Sequence, residues 1–467
     1  MLQRQSILDV SIERFGDRGK SIAHLDGFTI MVTGGVPGDR LKVRIVRKKR
    51  RYAEAEIVEV LTPSPLRTEA KCAHFGVCGG CKWQHVKYES QLQAKRDSVR
   101  DAMQRIAMIP DAVVEESVGA DEIYYYRNKM EYSFGSKRWL TRAEIGTDIK
   151  FEDSVYGGFH VSGNYSKVLD ISQCHLQDPI SYELLEAIRS HARRKGWSAW
   201  DVRTTTGYLR YLVVRTTTAS DDVLVNLVTT GFDDDKISEV TSLLQEHFPR
   251  VSTFVNTSNT GVAQTAYGDA NVVFGPGNIV DRIGKYEFEI SPQAFFQTNT
   301  KQAGRLYEVV LGVGQFAPGD HVYDLYCGAG SISLYLSEYV ERITGIEVIA
   351  SAIENARANA TRNGVDNCTF VQGDMLKVLN DDFVSRHGRP DVIVVDPPRS
   401  GMHPRVVERL SALRPEKLVY VSCNPRTQAR DIELLGSGWT TGPSHPVDMF
   451  PHTHHVENVM LLTPDST

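Results

Sequence analysis

The sequence predicts an α/β protein. Its last third reads as a doubly wound, Rossmann-like sheet, behind a small N-terminal β-barrel and a central α+β region. Three observations carry this. After Ile290, short apolar runs alternate with helical stretches, the texture of βαβ units. Before about Leu61 the chain alternates apolar and polar residues between turn signals. At 467 residues it exceeds one ordinary core, so two or three domains are expected.

Composition narrows the functional classes. A hydrophobic fraction of 41% and a charged fraction of 24% belong to a globular protein. No apolar run approaches a membrane span, and Met1-Leu2-Gln3-Arg4-Gln5 lacks the apolar core of a signal peptide. A cytoplasmic protein that makes no use of a membrane is therefore expected. The net charge of −5 argues against a protein that coats nucleic acid over its whole surface. Yet eight of the twelve residues from Arg40 to Arg51 are basic, which suggests local contact with phosphates.

In the barrel, the runs Gly19 to Val32, Leu41 to Val46 and Ala53 to Val60 lie between turn signals at Gly34-Gly35 and Pro37-Gly38-Asp39. They predict a five-stranded, OB-like barrel with a basic hairpin. The five consecutive cations Arg47 to Arg51 repel one another without a polyanion, which favours a nucleic-acid backbone over a merely solvated hairpin. Thr62-Pro63-Ser64-Pro65 reads as a linker.

Of seven cysteines, Cys72, Cys78 and Cys81 are spaced C-x5-C-x2-C around Gly79-Gly80. Cys174, in Ser172-Gln173-Cys174-His175, is the obvious fourth ligand. Spacing alone leaves a [4Fe–4S] cluster and a structural zinc equally open. Tyr88 to Met108 has helical composition, with Leu92, Val99, Met103 and Ile106 on one face and Pro110 beyond. The middle of the chain is β-rich (Lys129 to Gly135, Leu209 to Thr216, Val223 to Thr229, Ser252 to Asn256, Lys285 to Ser291), interrupted by a helix from Ser181 to Lys195.

The doubly wound part has strands at His321 to Leu325, Ile343 to Glu347, Cys368 to Gln372, Val392 to Val395 and Leu418 to Val421. Helices start near Gly330, Ile349 and Pro404. The first strand runs into Tyr326-Cys327-Gly328-Ala329-Gly330-Ser331, where small residues let a cofactor approach the backbone. Glu347 ends the second strand and suits a ribose, and Asp374 after the third suits an adenine amino group. This order resembles the S-adenosylmethionine site of class I methyltransferases, and the full G-x-G-x-x-G of a dehydrogenase is absent. The fourth strand ends in Asp396-Pro397-Pro398-Arg399. The fifth ends in Ser422-Cys423-Asn424-Pro425, a thiol at the carboxyl end of a strand, where such folds bind ligands. A lone cysteine there is ordinarily a packing residue. The histidines of Pro451-His452-Thr453-His454-His455 lack the companion carboxylate spacing of a metal site, and Glu457 after them reads as a carboxylate delivered to Cys423.

Three stretches together, Asp396-Pro-Pro-Arg-Ser-Gly401, Leu418-Val-Tyr-Val-Ser-Cys423-Asn-Pro-Arg-Thr427 and Asp448-x-Phe-Pro-x-Thr-x-His-x-Glu457, resemble the linked signatures of the RNA (uracil-5-)methyltransferase family. The likeness is strongest to its bacterial 23S rRNA branch, with a TRAM domain and a [4Fe–4S] cluster. By that resemblance Cys423 is the nucleophile, and Glu457 the base that removes the carbon-5 proton. Gln297, Tyr326, Ser331, Glu347, Asp374 and Asp396 contact cofactor or base, Ser331 departing from the Asn of some members. Cys72, Cys78, Cys81 and Cys174 hold the cluster. The resemblance further implies a TRAM barrel over 1–62 and an iron–sulfur α+β domain over 63–87 and 119–287. The methyltransferase domain would be 288–467, with the helix of 88–118 packed on it. It also implies a monomer with RNA as its partner, ribosomal rather than transfer RNA. Three rivals are weaker. A radical S-adenosylmethionine enzyme needs an open iron, whereas four cysteines close the cluster. A DNA cytosine-5 methyltransferase fits neither the Ser-Cys-Asn-Pro context nor the barrel. A catalytically silent RNA-binding protein would not need both Cys423 and Glu457.

Overall fold

A computed structural model describes residues 3–141, 144–147, 154–161 and 163–465. These fall into two compact units. The first comprises Met1–Gly76, Gly80–Asp121 and Pro397–Thr467, and the second Val77–Gly79 and Glu122–Asp396.

The first unit begins with a six-stranded sheet, in spatial order Ile7–Ser11, Arg40–Lys48, Tyr52–Thr62, Phe28–Thr33, Lys20–Leu25 and Arg14–Phe15. Neighbours are antiparallel except Phe28–Thr33 beside Tyr52–Thr62. Period-two alternation does the sorting. Leu41, Val43 and Ile45 join Val10, Ile30, Val32 and Ala53 in the core. Their neighbours Lys42 and Arg44 turn outward and pair with Glu59 at 2.8 Å and Glu56 at 3.2 Å. The basic tip, Arg47 to Arg51, is exposed. Two details differ from the five strands expected. The run Gly19 to Val32 is two strands, because Asp26 (φ 50°) and Gly27 (φ 78°) make a tight two-residue turn. The short strand Arg14–Phe15 adds the sixth.

The same unit holds the helix Tyr88–Arg105, which packs on the helix Pro425–Leu435 and the strand Trp439–Val447. It stops before Met108, whose φ of 58° cannot continue a helix. Three antiparallel strands complete the unit, with Glu457–Pro464 lying between Lys417–Ser422 and Trp439–Val447.

The second unit contains a seven-stranded sheet. Its central strands, Leu209–Thr216 and Val223–Thr229, are buried at every residue, flanked by the helices Ile180–Arg194 and Asp234–His247. After the hairpin Ile279–Ile283 and Tyr286–Ile290 comes the helix Thr300–Gly314, whose N-cap Asn299 accepts from the Gln302 N–H. Neither this helix nor Pro425–Leu435 was anticipated from periodicity. Four parallel strands follow, in spatial order Cys368–Gln372, Arg342–Glu347, His321–Leu325 and Val392–Val395. The carboxyl ends of parallel strands form the crevice at which such sheets bind ligands. Among the described residues no helix is long and apolar enough to cross a membrane.

Candidate active site

In the second unit Tyr326, Ser331, Glu347, Asp374 and Asp396, expected as cofactor residues, stand at or just beyond those strand ends, and Gln297 precedes the helix Thr300–Gly314. The strand His321–Leu325 runs into Tyr326 (φ 65°), Gly328 (φ 53°) and Gly330 (φ 79°), a left-handed turn that opens the helix Ser331–Leu336. A Cβ on Gly330 would lie 2.9 Å from the Phe370 ring, so only glycine fits that corner. Glu347 closes its strand nearly buried, its Oε1 accepting from the N–H groups of Val348 (2.7 Å) and Ile349 (3.0 Å). Asp374 caps the short helix Met375–Val378 through the Leu376 N–H. Ser331 Oγ lies 2.7 Å from the Tyr307 hydroxyl. The Gln297 carbonyl accepts from Asn128 Nδ2 at 2.7 Å, within a chain that continues through Thr300 to the buried Asp281.

Two carboxyls dominate the electrostatics there. Asp324 is fully buried, with Oδ2 taking the Ser333 hydroxyl at 2.5 Å and Oδ1 left without a partner among the described residues. Burial pushes its pKa up to about 7. Asp396 rises likewise to about 7, first by desolvation and then by the charge of Asp324. Near neutral pH the two titrate as a pair.

The turn expected to carry the nucleophile lies in the first unit. Lys417–Ser422 and Glu457–Pro464 run antiparallel in the register Val421↔Val459, Ser422↔Asn458. The ladder ends at Ser422↔Asn458, so Cys423 follows and Glu457 precedes the two residues of its last rung. Glu457 is buried at the start of its strand, paired on its other side with Val447, and Cys423 is half-buried. Asn424 then caps the helix Pro425–Leu435 through the Arg426 N–H, with Pro425 at the first helical position, where a missing N–H costs nothing. Asn424 Nδ2 also donates to the Arg399 carbonyl at 2.9 Å, as the Thr427 hydroxyl does at 3.3 Å. The Pro397 to Gly401 loop is thereby tied to the turn that bears the thiol.

Two buried residues that sequence reading passed over hold this turn. Gln428 donates to the carbonyls of Tyr420 (3.0 Å) and Asn458 (3.3 Å) and accepts from Asn458 Nδ2 (2.8 Å), joining the Cys423 strand to the Glu457 strand. Asp431 accepts from the Tyr420 hydroxyl (2.6 Å) and the Met402 N–H (2.7 Å). Both lie on the helix that Asn424 starts. The available signal was polar residues recurring on the face that the helix turns inward. His454 stacks on His455 with ring centroids 4.1 Å apart, and burial draws its pKa down to about 4, which keeps it neutral.

The four cysteines are divided between the units, Cys72 and Cys81 in the first and Cys78 and Cys174 in the second. Among the described residues no group of three or more His, Cys, Asp or Glu side chains is drawn together as a metal site. Some local features do suit sulfur ligation. The N–H groups of His74 and Phe75 point at the Cys72 sulfur. Gln84 accepts from the Cys72 N–H at 3.0 Å while its Nε2 donates to Cys81 Sγ at 3.2 Å.

With this geometry in hand, comparison with known proteins is informative. The family profile described as tRNA (uracil-5-)-methyltransferase matches residues 209–464, and that of the TRAM domain residues 2–58. The chain belongs to the tRNA (uracil-5-)-methyltransferase family. It is 39% identical to a protein of Bacteroides thetaiotaomicron over 95% of this chain and 98% of the relative. To one of Porphyromonas gingivalis it is 40% identical, over 95% and 97%. Both are named simply as RNA methyltransferases. The tRNA (uracil-54, C5)-methyltransferase of Pyrococcus abyssi, solved with S-adenosyl-L-homocysteine, superposes with a TM-score of 0.74 at 28% identity, covering 98% of this chain and all of that one.

This family member is thus an S-adenosylmethionine-dependent RNA methyltransferase with an N-terminal TRAM domain. Its second unit fits such a cofactor on physical grounds. Glu347 sets a nearly buried carboxylate at a strand end, its Oε1 held by two N–H groups, and Asp324 Oδ1 is buried without a partner among the described residues near the end of the adjacent strand.

Proposed function

We propose that this methyltransferase modifies carbon-5 of a uridine in 23S rRNA through a covalent adduct with Cys423. The reading is supported by the last rung of that ladder, Ser422↔Asn458, whose chain neighbours are Cys423 and Glu457, because the reaction needs a nucleophile and a base on one uracil ring. Carbon-5 of uracil is too weak a nucleophile to be methylated unaided. The Cys423 thiolate adds to carbon-6, and the electron pair of the 5,6 double bond moves toward carbon-5 and the carbonyl oxygen as an enolate. Carbon-5 would bond to the electrophilic methyl group of a bound S-adenosylmethionine, the methyl–sulfur bond breaking with its electron pair going to sulfur, which leaves as the thioether S-adenosylhomocysteine. Glu457 then takes the proton from carbon-5. The freed electron pair restores the double bond and expels the thiolate. Arg399 or Gln297 would donate to the enolate oxygen. The target base must leave its stack to reach Cys423.

Glu347 would hold the ribose of the cofactor, Asp374 its adenine, and Gln297, Tyr326, Ser331 and Asp396 its methionine end or the base. Residues 1–62 would track the RNA backbone through the exposed tip Arg47 to Arg51. Residues 63–87 with 119–287 form the second domain in this reading, and 88–118 with 288–467 the catalytic one. Cys72, Cys78, Cys81 and Cys174 are the ligands we assign to a structural [4Fe–4S] cluster; their spacing suits a four-cysteine site, and the family resemblance favours iron–sulfur over zinc. Iron and sulfide in anaerobically prepared protein are expected, and zinc in their place would refute the assignment. The protein would act as a cytoplasmic monomer.

A second reading is the same chemistry on transfer RNA. It is favoured by the Pyrococcus enzyme, whose own substrate is uracil 54 of tRNA. Mapping the 5-methyluridine lost from ribosomal and transfer RNA in a deletion strain separates the two.

The test of the chemistry is incubation with labelled S-adenosylmethionine and RNA from that deletion strain. Cys423→Ala should lose at least about a thousandfold in turnover, since covalent activation is removed outright. Equal methyl transfer by that variant would sink the mechanism. Wild-type protein should also form a denaturation-resistant adduct with 5-fluorouridine RNA, because fluorine cannot leave as a proton does.

A further inference from the structure

We infer that the helix Tyr88–Arg105 is a clamp that positions the proton-abstracting carboxylate, with Gln91 and Lys95 as its positioning residues. The inference rests on the reading of Glu457 as the base. Periodicity assigns this helix a face of Leu92, Val99, Met103 and Ile106, yet it also buries Gln91 and Lys95 completely. With Tyr88 these form a polar stripe at i, i+3 and i+7.

Everything on that stripe reaches one target. Lys95 Nζ donates to Asp448 Oδ1 at 2.5 Å and to the Phe450 carbonyl at 3.1 Å, and the Tyr88 hydroxyl donates to Asp448 Oδ2 at 3.0 Å. Neither side chain of the Lys95–Asp448 pair touches solvent. Gln91 Oε1 accepts from the His452 N–H at 2.8 Å, while its Nε2 lies 3.2 Å from His452 Nδ1 and donates to the carbonyls of Trp83 and Val86. The His452 carbonyl accepts from the N–H groups of Lys82 (2.9 Å) and Trp83 (3.0 Å). His452 sits at φ 66°, a left-handed conformation that a residue with a side chain holds only when its surroundings impose it.

Asp448, Phe450 and His452 belong to the loop 448–456 between the strands Trp439–Val447 and Glu457–Pro464. Both ends of that loop meet at one rung, since Val447 pairs with Glu457. Fixing the loop therefore fixes the backbone from which Glu457 projects. A staple for packing alone would be served by apolar residues of similar volume, because burying a charge pair carries a desolvation cost. A hydrogen-bonded pair holds one direction as well as one distance. A base that must reach a single proton requires that direction.

Splitting the reaction at proton removal tests this. With labelled S-adenosylmethionine and total RNA from a deletion strain, Glu457→Gln should transfer the methyl group but keep the carbon-5 proton. Its label then stays in a protein–RNA adduct that survives denaturation. Gln91→Ala should shift label the same way, raising the ratio of adduct to free methylated RNA by about tenfold or more with the KM for S-adenosylmethionine little changed. The double variant Lys95→Met/Asp448→Leu removes both charges together, so that it folds, and should show the same accumulation. With labelled adduct seen for Glu457→Gln, free product that falls in Gln91→Ala and in the double variant without adduct, or that does not fall in them, would overturn the clamp. If Glu457→Gln itself gives no labelled adduct while wild type is active, the reading of Glu457 fails, and the inference fails with it.

Discussion

The two halves of the chemistry are built on opposite principles. The cofactor residues stand on one short segment after another, each fixed by its own strand end and turn: Glu347 by the next two N–H groups, Asp374 by the helix it caps, Gly330 by its left-handed φ. The catalytic turn is held by side chains far away in the chain. Lys95 and Asp448 are separated by 353 residues, and Gln91 and His452 by 361. A crevice for a common cofactor can be assembled locally. The loop that leads into Glu457, the carboxylate we propose as the base, is fixed by elements that converge from both ends of the sequence.

The contrast fails first if a single long-range contact proves dispensable. Asp448→Ala leaves the Lys95 ammonium buried and unpaired, where burial already draws its pKa below the ordinary value and Asp448 is what pulls it back. Breaking one partner of a buried pair costs about 3–5 kcal/mol. Chemical denaturation should record a loss of that size, with Lys95→Met/Asp448→Leu recovering most of it. A loss below about 1 kcal/mol, the range of exposed pairs, would mean that the turn does not depend on this pair.

Legibility in the sequence follows the same division. The parallel strands and the Gly328 to Gly330 turn were readable because period and turn chemistry act over a few residues. Cys423 and Glu457 could be singled out by motif, whereas the pairing of the strands that carry them, Ser422↔Asn458 at its end, comes from a register that no local signal contains. Lys95, Gln91, Gln428 and Asp431 look like ordinary polar positions of amphipathic helices. Only tertiary packing reveals that they point inward. The helix Thr300–Gly314 was obscured by its mixed composition, in which three glycines interrupt the apolar period.

The local half should respond in the opposite sense. Glu347→Gln keeps the shape of the side chain and removes its charge, so stability should change little. Equilibrium dialysis should show S-adenosylmethionine binding weakened by about tenfold or more, the worth of a hydrogen bond to a charged acceptor. Unchanged affinity would take Glu347 out of the cofactor site. A large loss of stability would show that the cofactor half too is held together through this carboxylate, which is the opposite of the contrast.

The smallest effect, and the sharpest in location, concerns Asp324. Its folded-state pKa, near 7, lies above the ordinary carboxyl value of 3.8, so the folded protein binds this proton more tightly than the unfolded chain does. The stability it contributes is fully present below about pH 4 and is lost as pH rises through about 7. Buried neutral histidines run the other way. His85 and His454, drawn down to about 4, gain stability as pH rises through the same acid range. The total curve therefore mixes opposed slopes, and a difference between variants isolates Asp324 together with its effect on Asp396. Asp324→Asn is close in shape and carries no titrating group. The melting temperature of ligand-free protein relative to this variant should decline from pH 5 to pH 8. Hydrogen exchange, corrected for its intrinsic pH dependence, should accelerate over that range in the strand His321–Leu325 and not in Lys417–Ser422. Equal acceleration in both strands would mean that the charge is felt across the molecule, and the division between a local and a long-range half would not hold for its electrostatics.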